Sequence, residues 1–206
     1  MNSIGGYTFQ NAELFETALT HSSYSKNNYE RFEFLGDSIL DFVVGDYFFK
    51  NTDKKEGELT VLRSRFISEQ YLSKVFDELK LEKEVLVGKS YKGAISKAIK
   101  CDVIESIIAA IYIESGLDEA RKFIEDKLHL SNYEKVEDTN FKSQLQELIQ
   151  ANFKCKMTYQ TEKQEDDKFI SKFFMDDDEI AMGEGLSKAE AEQNCARVVI
   201  NLLFKI

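Results

Sequence analysis

The stretch from Asp102 to Ser115 constrains this chain more than any other. Val103, Ile104, Ile107, Ile108, Ala109, Ala110, Ile111, Tyr112 and Ile113 leave it almost no polar side. A helix that is apolar on every side has to lie inside a domain with other helices wrapped around it. Nowhere does an uncharged apolar run reach the ~18 residues of a membrane span, so no transmembrane helix is expected. Candidate wrapping helices show apolar residues at helical spacing. They are Ala12 to His21 (Leu14, Phe15, Ala18, Leu19), Arg31 to Lys50, Leu59 to Leu79, and Leu117 to Leu128 beyond a Gly116 stop.

After residue 128 the pattern changes. His129 to Asn140 is polar and reads as a linker. Phe141 to Asn152 is helical, and Met157 to Glu162, Phe169 to Met175 and Glu179 to Gly185 are strand-like. Lys188 to Leu203 is helical again. The expected architecture is an all-α domain over 1–130, a linker over 131–139, and a small α+β domain of order α-β-β-β-α over 140–206.

The three cysteines, Cys101, Cys155 and Cys195, stand singly, and there are only two histidines. That fits reduced thiols and a cytoplasmic location, and it argues against a zinc site. Met1 to Gln10 does not read as a signal peptide. Cys101 reads as a small buried residue, and His21 as a hydrogen bonder at a helix end. The net charge of −10 speaks against a generally basic, nucleic-acid-coating surface. Residues 89–100 nevertheless carry Lys89, Lys92, Lys97 and Lys100 with no acid, either as a binding patch or as a solvated loop.

Two predicted helices carry acids at telling positions. Glu33 and Asp37 are i, i+4 on one face, with Glu30 and Asp41 extending the stripe. Asp102 and Glu105 are i, i+3 at the start of the most apolar helix. A carboxylate near the interior is normally paired or bound to a cation. An all-oxygen donor set suits magnesium or manganese. Spacing alone is equally compatible with solvated helix faces, and with Asp102 as a first-turn charge favoured by the helix dipole. Gly36, between Glu33 and Asp37, costs a helix ~1 kcal/mol relative to alanine. It therefore implies close approach by another backbone or a ligand.

The run Tyr29-Glu30-Arg31-Phe32-Glu33-Phe34-Leu35-Gly36-Asp37-Ser38-Ile39-Leu40 resembles the ribonuclease III signature, usually written NERLEFLGDSVL. Asp102 to Gly116 resembles that family's second acidic motif, with Ala109-Ala110 in place of Gly-Ala. Ala18 to Tyr24 and Glu56 to Leu59 resemble lesser landmarks. Phe141 to Glu147 and Gly183 to Gln193 resemble the two ends of a double-stranded-RNA-binding domain. The resemblance implies a magnesium site made by Glu33, Asp37, Asp102 and Glu105, with manganese able to substitute. Asp37 and Glu105 would be the catalytic pair, and Glu30 and Glu56 supporting acids. It implies a homodimer that cuts both strands of duplex RNA by metal-activated water, leaving 5′-phosphate and 3′-hydroxyl ends. Ribosomal RNA precursors and structured messenger RNA are the implied substrates. Phe32, Phe34 and Leu35 would serve either the dimer interface or the core. RNA contacts would come from Ser143, Gln146, Glu147 and Lys188, helped by Lys97 and Lys100.

The C-terminal part departs from the pattern. The loop normally reading GPxH is Lys163-Gln164-Glu165-Asp166-Asp167, and Lys188 is followed by Ala189 where paired lysines are usual. Weak RNA affinity with a shallow salt dependence is expected. A relative that binds RNA without cutting would have lost one or more of the four acids, and all four are present.

Overall fold

The computed structural model describes residues 2–89, 91–135, 141–165 and 167–204. The chain separates into two compact units, Met1–Val136 and Glu137–Ile206. The first contains a short hairpin, β1 (Ser3–Ile4) and β2 (Tyr7–Thr8). Six helices follow: α1 (Ala12–Leu19), α2 (Glu30–Asn51), α3 (Glu56–Phe66), α4 (Glu69–Glu78), α5 (Lys97–Ser115) and α6 (Leu117–Lys127). The second contains α7 (Phe141–Asn152), strands β3 (Met157–Lys163), β4 (Phe169–Met175) and β5 (Asp178–Gly185), and α8 (Lys188–Phe204).

Helix α5 is the centre of the first unit, as its composition requires. Val103, Ile104, Ile107, Ile108 and Ile111 are fully buried, and α1, α2, α4 and α6 pack on it. Each such side chain contributes roughly 1.5–3 kcal/mol of transfer free energy. The helix begins at Lys97, earlier than its apolar run suggests, because the Ser96 side chain caps it by accepting from the Ile99 amide at 3.3 Å. Asp102 therefore lies in the second turn. The dipole explanation for its charge fails, since that effect is confined to the first turn.

One other expectation needs correction. Leu59 to Leu79 is not one helix: α3 ends at Phe66, and Ser68 caps α4 by accepting from the Tyr71 amide. The hairpin β1–β2 went unread because two-residue strands show no alternation. Its turn rests on Gly5 and Gly6, both at positive φ. The stretch expected as linker opens with ordered backbone. Leu130–Lys135 forms a 3-10 segment, with Leu130 fully buried and the Tyr133 ring 5.6 Å from that of Phe48. The apolar residues inside this polar-looking stretch bind it to the helical core. Residues 136–139 of the expected linker lie outside the described residues.

In the second unit the sheet has the antiparallel order β3-β4-β5. Its inner face and both helices enclose Leu145, Ile149, Phe173, Cys195, Ala196, Val199 and Ile200. The α-β-β-β-α order is as expected. Among the described residues no helix is long and apolar enough to cross a membrane, and all three cysteines are free.

Candidate metal centre and RNA-binding surface

Helices α2 and α5 meet backbone to backbone at Gly36. A Cβ at that position would lie 1.8 Å from the carbonyl oxygen of Glu105, so no side chain fits. This is the close approach that a glycine inside a strong helix predicts, and the partner is the helix bearing the second acid pair. Glu33 and Asp37 flank Gly36 on one side of the crossing, and Asp102 and Glu105 face it from the other.

One oxygen from each of Glu33, Asp102 and Glu105 lies within 4.8 Å of the others. Glu105 is only 9% exposed. Burial, then the charges of Asp37, Asp102 and Glu33, push its carboxyl up to about 7, against a small opposing pull from the Cys101 thiol. Glu33 is raised by burial and then by Asp102, Glu30 and Asp37. Asp102 is raised by burial and by Glu69, less a hydrogen bond from Tyr29 and the charge of His21. Among the described residues, the main charges acting on these three carboxyls come from other acids, and from His21 at Asp102. The donor set is all oxygen, partly desolvated and mutually repelling, and a divalent cation would offset both the desolvation and the repulsion.

Asp37 is exposed and lies outside the three-oxygen group, although its charge reaches both glutamates. Glu30 is exposed and acts on Glu33. Glu56 sits exposed in the first turn of α3 and accepts from the Thr60 hydroxyl. It is not among the charges that shift the cluster.

Three neighbours went unnoticed as site residues. Glu69, in the first turn of α4, presses on Asp102. Tyr29 donates to Asp102 Oδ2 at 3.2 Å. Burial, and then the neighbouring carboxylates, push its phenol up, so it remains a donor. His21 stands edge-on to the Tyr29 ring at 5.7 Å. Cys101 is partly buried and its sulfur lies 3.6 Å from Glu105 Oε1. Burial and then Glu105 push the thiol up, which rules it out as a nucleophile at neutral pH.

The lysines divide. Lys97 is exposed in the first turn of α5. Lys100 is committed to the fold: its ammonium binds Asp77 at 2.6 Å and sits 5.5 Å from the Phe76 ring centroid. Asp77 is itself exposed, so this pair lies at the surface.

In the second unit, Ser143 and Gln146 are exposed on α7, and the side chain of Glu147 lies outside the described residues. Lys142 is drawn inward to Glu192 at 2.6 Å, and its ammonium lies 5.2 Å from the Tyr159 ring centroid. Lys188 is exposed, 4.0 Å from the same glutamate. In the β3–β4 turn, Lys163 binds Asp167 at 2.6 Å, so this loop neutralises its own cation. Asp166 lies outside the described residues.

Residues 11–131 match the model of the ribonuclease-III-like family, and 141–203 that of the double-stranded RNA binding motif. The chain is 37% identical over 223 residues to ribonuclease 3 of Clostridium perfringens, covering 98% of this chain and 92% of that one. It is 35% identical over 215 residues to ribonuclease 3 of Borreliella burgdorferi, covering 96% and 88%. A solved nuclease domain of ribonuclease III from Campylobacter jejuni superposes with a TM-score of 0.57 at 36% identity, covering 60% of this chain and 90% of that one. With both acid-bearing helices and the three-stranded C-terminal unit in place, the chain belongs to the ribonuclease III family.

Proposed function

We propose that the protein is a divalent-metal-dependent endoribonuclease that cleaves double-stranded RNA. The observation that supports this most directly is the gathering of Glu33, Asp102 and Glu105 within 4.8 Å, each carboxyl raised by burial and by neighbouring acids. Asp37, exposed beside them, completes a set of four. Magnesium is the preferred ion, since the ligands are carboxylates only; manganese substitutes. When bound, the ion supplies an activated water and stabilises charge on the scissile phosphate.

The chain's own residues do the rest. Glu33, Asp102 and Glu105 hold the ion, and burial of Glu105 fixes its position. Asp37 and Glu105 are the catalytic pair, with Glu30 and Glu56 as supporting acids. Ser143, Gln146, Glu147, Lys188, Lys97 and Lys100 approach the RNA. The products carry 5′-phosphate and 3′-hydroxyl ends, and the substrates are ribosomal RNA precursors and structured messenger RNA. Residues 1–130 supply the cutting domain and 140–206 the RNA-binding domain.

The working form is a homodimer. Phe34, Phe42 and Phe49 on α2 are 79%, 54% and 74% exposed. Their spacing of eight and seven residues places them along one helix face, an apolar stripe suited to a second copy of the same surface. A solved nuclease domain of the Campylobacter jejuni relative is described as having a region involved in dimer formation.

The test is a long perfect RNA duplex incubated with Mg2+ and either the wild type or Glu105→Ala. The wild type should reduce the duplex to short pieces, and the variant should be slower by ~100-fold or more, the scale of losing one preorganised charge-stabilising group. Binding without cleavage by both proteins would refute the enzymatic reading.

A further inference from the structure

The Tyr29 hydroxyl ties the two acid-bearing helices together. Its backbone carbonyl accepts from the Phe32 and Glu33 amides, each at 2.8 Å, and so starts the helix that carries Glu33. Its side chain crosses to α5 and donates to Asp102 Oδ2 at 3.2 Å. The residue itself is held firmly. It is 2% exposed, and its amide donates to the Thr20 carbonyl at 2.9 Å. Its ring leans edge-on against His21.

His21 is fixed in turn. Its Nδ1 lies 2.7 Å from Ser23 Oγ and accepts from the Ser23 amide at 3.1 Å. Ser23 Oγ accepts from the Gly88 amide at 2.9 Å, and a Cβ at Gly88 would come within 2.2 Å of the Ser23 carbonyl oxygen. The phenol therefore rests on a rigid shelf and offers one neutral donor to one oxygen of Asp102. A neutral donor restricts a carboxylate's rotation without cancelling its charge. That is what a metal ligand needs from its supporting partner.

We infer that Tyr29 is a positioning residue for the metal site: by engaging Oδ2 it orients Asp102 so that Oδ1 is left for the cation. The inference rests on the metal-dependent reading given above. It is distinct from the ordinary satisfaction of a buried tyrosine hydroxyl, because it makes cation affinity depend on that hydroxyl.

Tyr29→Phe keeps the ring, the His21 contact and every backbone bond. The experiment titrates the full-length protein, free of RNA, with Mn2+ alone and follows unbound Mn2+ by electron paramagnetic resonance. Wild type, Tyr29→Phe, Asp102→Asn and the double variant are compared, with melting temperatures measured alongside. The expected result is a 10- to 100-fold weaker site in Tyr29→Phe, the usual effect of losing a supporting hydrogen bond to a ligand. The change should add nothing in the Asp102→Asn background, and cleavage should return at raised Mn2+. Unchanged Mn2+ affinity in Tyr29→Phe would overturn the inference, and a fall in melting temperature alone would mark the hydroxyl as structural. If the wild type shows no Mn2+ site that Glu105→Ala removes, the metal reading itself fails and the inference falls with it.

Discussion

Glu105 in the helical unit and Glu192 in the RNA-binding unit are each 9% exposed, yet their carboxyls move in opposite directions. Burial pushes both up. At Glu192 it is outweighed by the Lys142 hydrogen bond and charge, the Thr161 hydroxyl and the charge of Lys188, and the net shift is downward. At Glu105 the neighbours are three more carboxylates, and the net shift is upward to about 7. Similar exposure with opposite company separates two purposes. Glu192 is an acid the fold uses to fasten α7 to α8, whereas Glu105 is an acid the fold leaves unsatisfied until something positive arrives.

The largest test of this contrast is Gly36→Ala. The new methyl meets a backbone oxygen that cannot rotate away, so α2 and α5 must separate. A stability loss of about 3 kcal/mol, the upper end for overpacking, is expected in urea denaturation, with cleavage lost alongside. A stable, active Gly36→Ala would mean that the crossing does not define the site.

Next comes Glu105→Gln in metal-free protein. The folded carboxyl is raised above its unfolded value, so its contribution to stability is full below about pH 4.5 and is lost as pH rises through about 7. Above pH 7 the glutamine variant should therefore be more stable than the wild type, on the order of 2 kcal/mol, and the two should converge near pH 4. Adding Mg2+ should raise the melting temperature of the wild type and leave the variant unmoved.

Glu192→Gln should do the reverse by a smaller amount. Its folded value is depressed, so its contribution is present at neutral pH and lost as pH falls through the folded value. The variant should lose about 1 kcal/mol at pH 7 and match the wild type in acid, with no response to Mg2+ that the wild type lacks.

The smallest effect concerns RNA affinity. Lys163 is held by Asp167 and Lys142 by Glu192, so two ammonium groups of this unit are already engaged by its own acids. The slope of log affinity against log salt for duplex RNA should correspond to fewer than the roughly six contacts of a strong phosphate binder. Asp167→Asn should steepen it by about one.

Much of this was legible in the amino-acid order. The all-round apolarity of Val103 to Ile113 placed α5 at the centre, and the two acid pairs and Gly36 marked the site. What escaped were pairings between distant residues and breaks that leave no trace in periodicity. The apolar pattern runs on through Phe66 and Ile67, so only the Ser68 cap reveals two helices. Tyr29 and Asp102 are 73 positions apart, and nothing in the spacing of either joins them. The pairing of Lys100 with Asp77 was equally hidden, because Asp77 lies on a different helix.

The contact at Gly36 has a consequence for how such a chain can drift. Where two helices touch through side chains, every exchange of one apolar residue for another resets their separation. Here the closest approach between the helices that carry the acid pairs is made by main-chain atoms. Substitutions among the surrounding isoleucines and valines can therefore accumulate while the spacing of the carboxylates stays as it is, so long as position 36 carries no side chain.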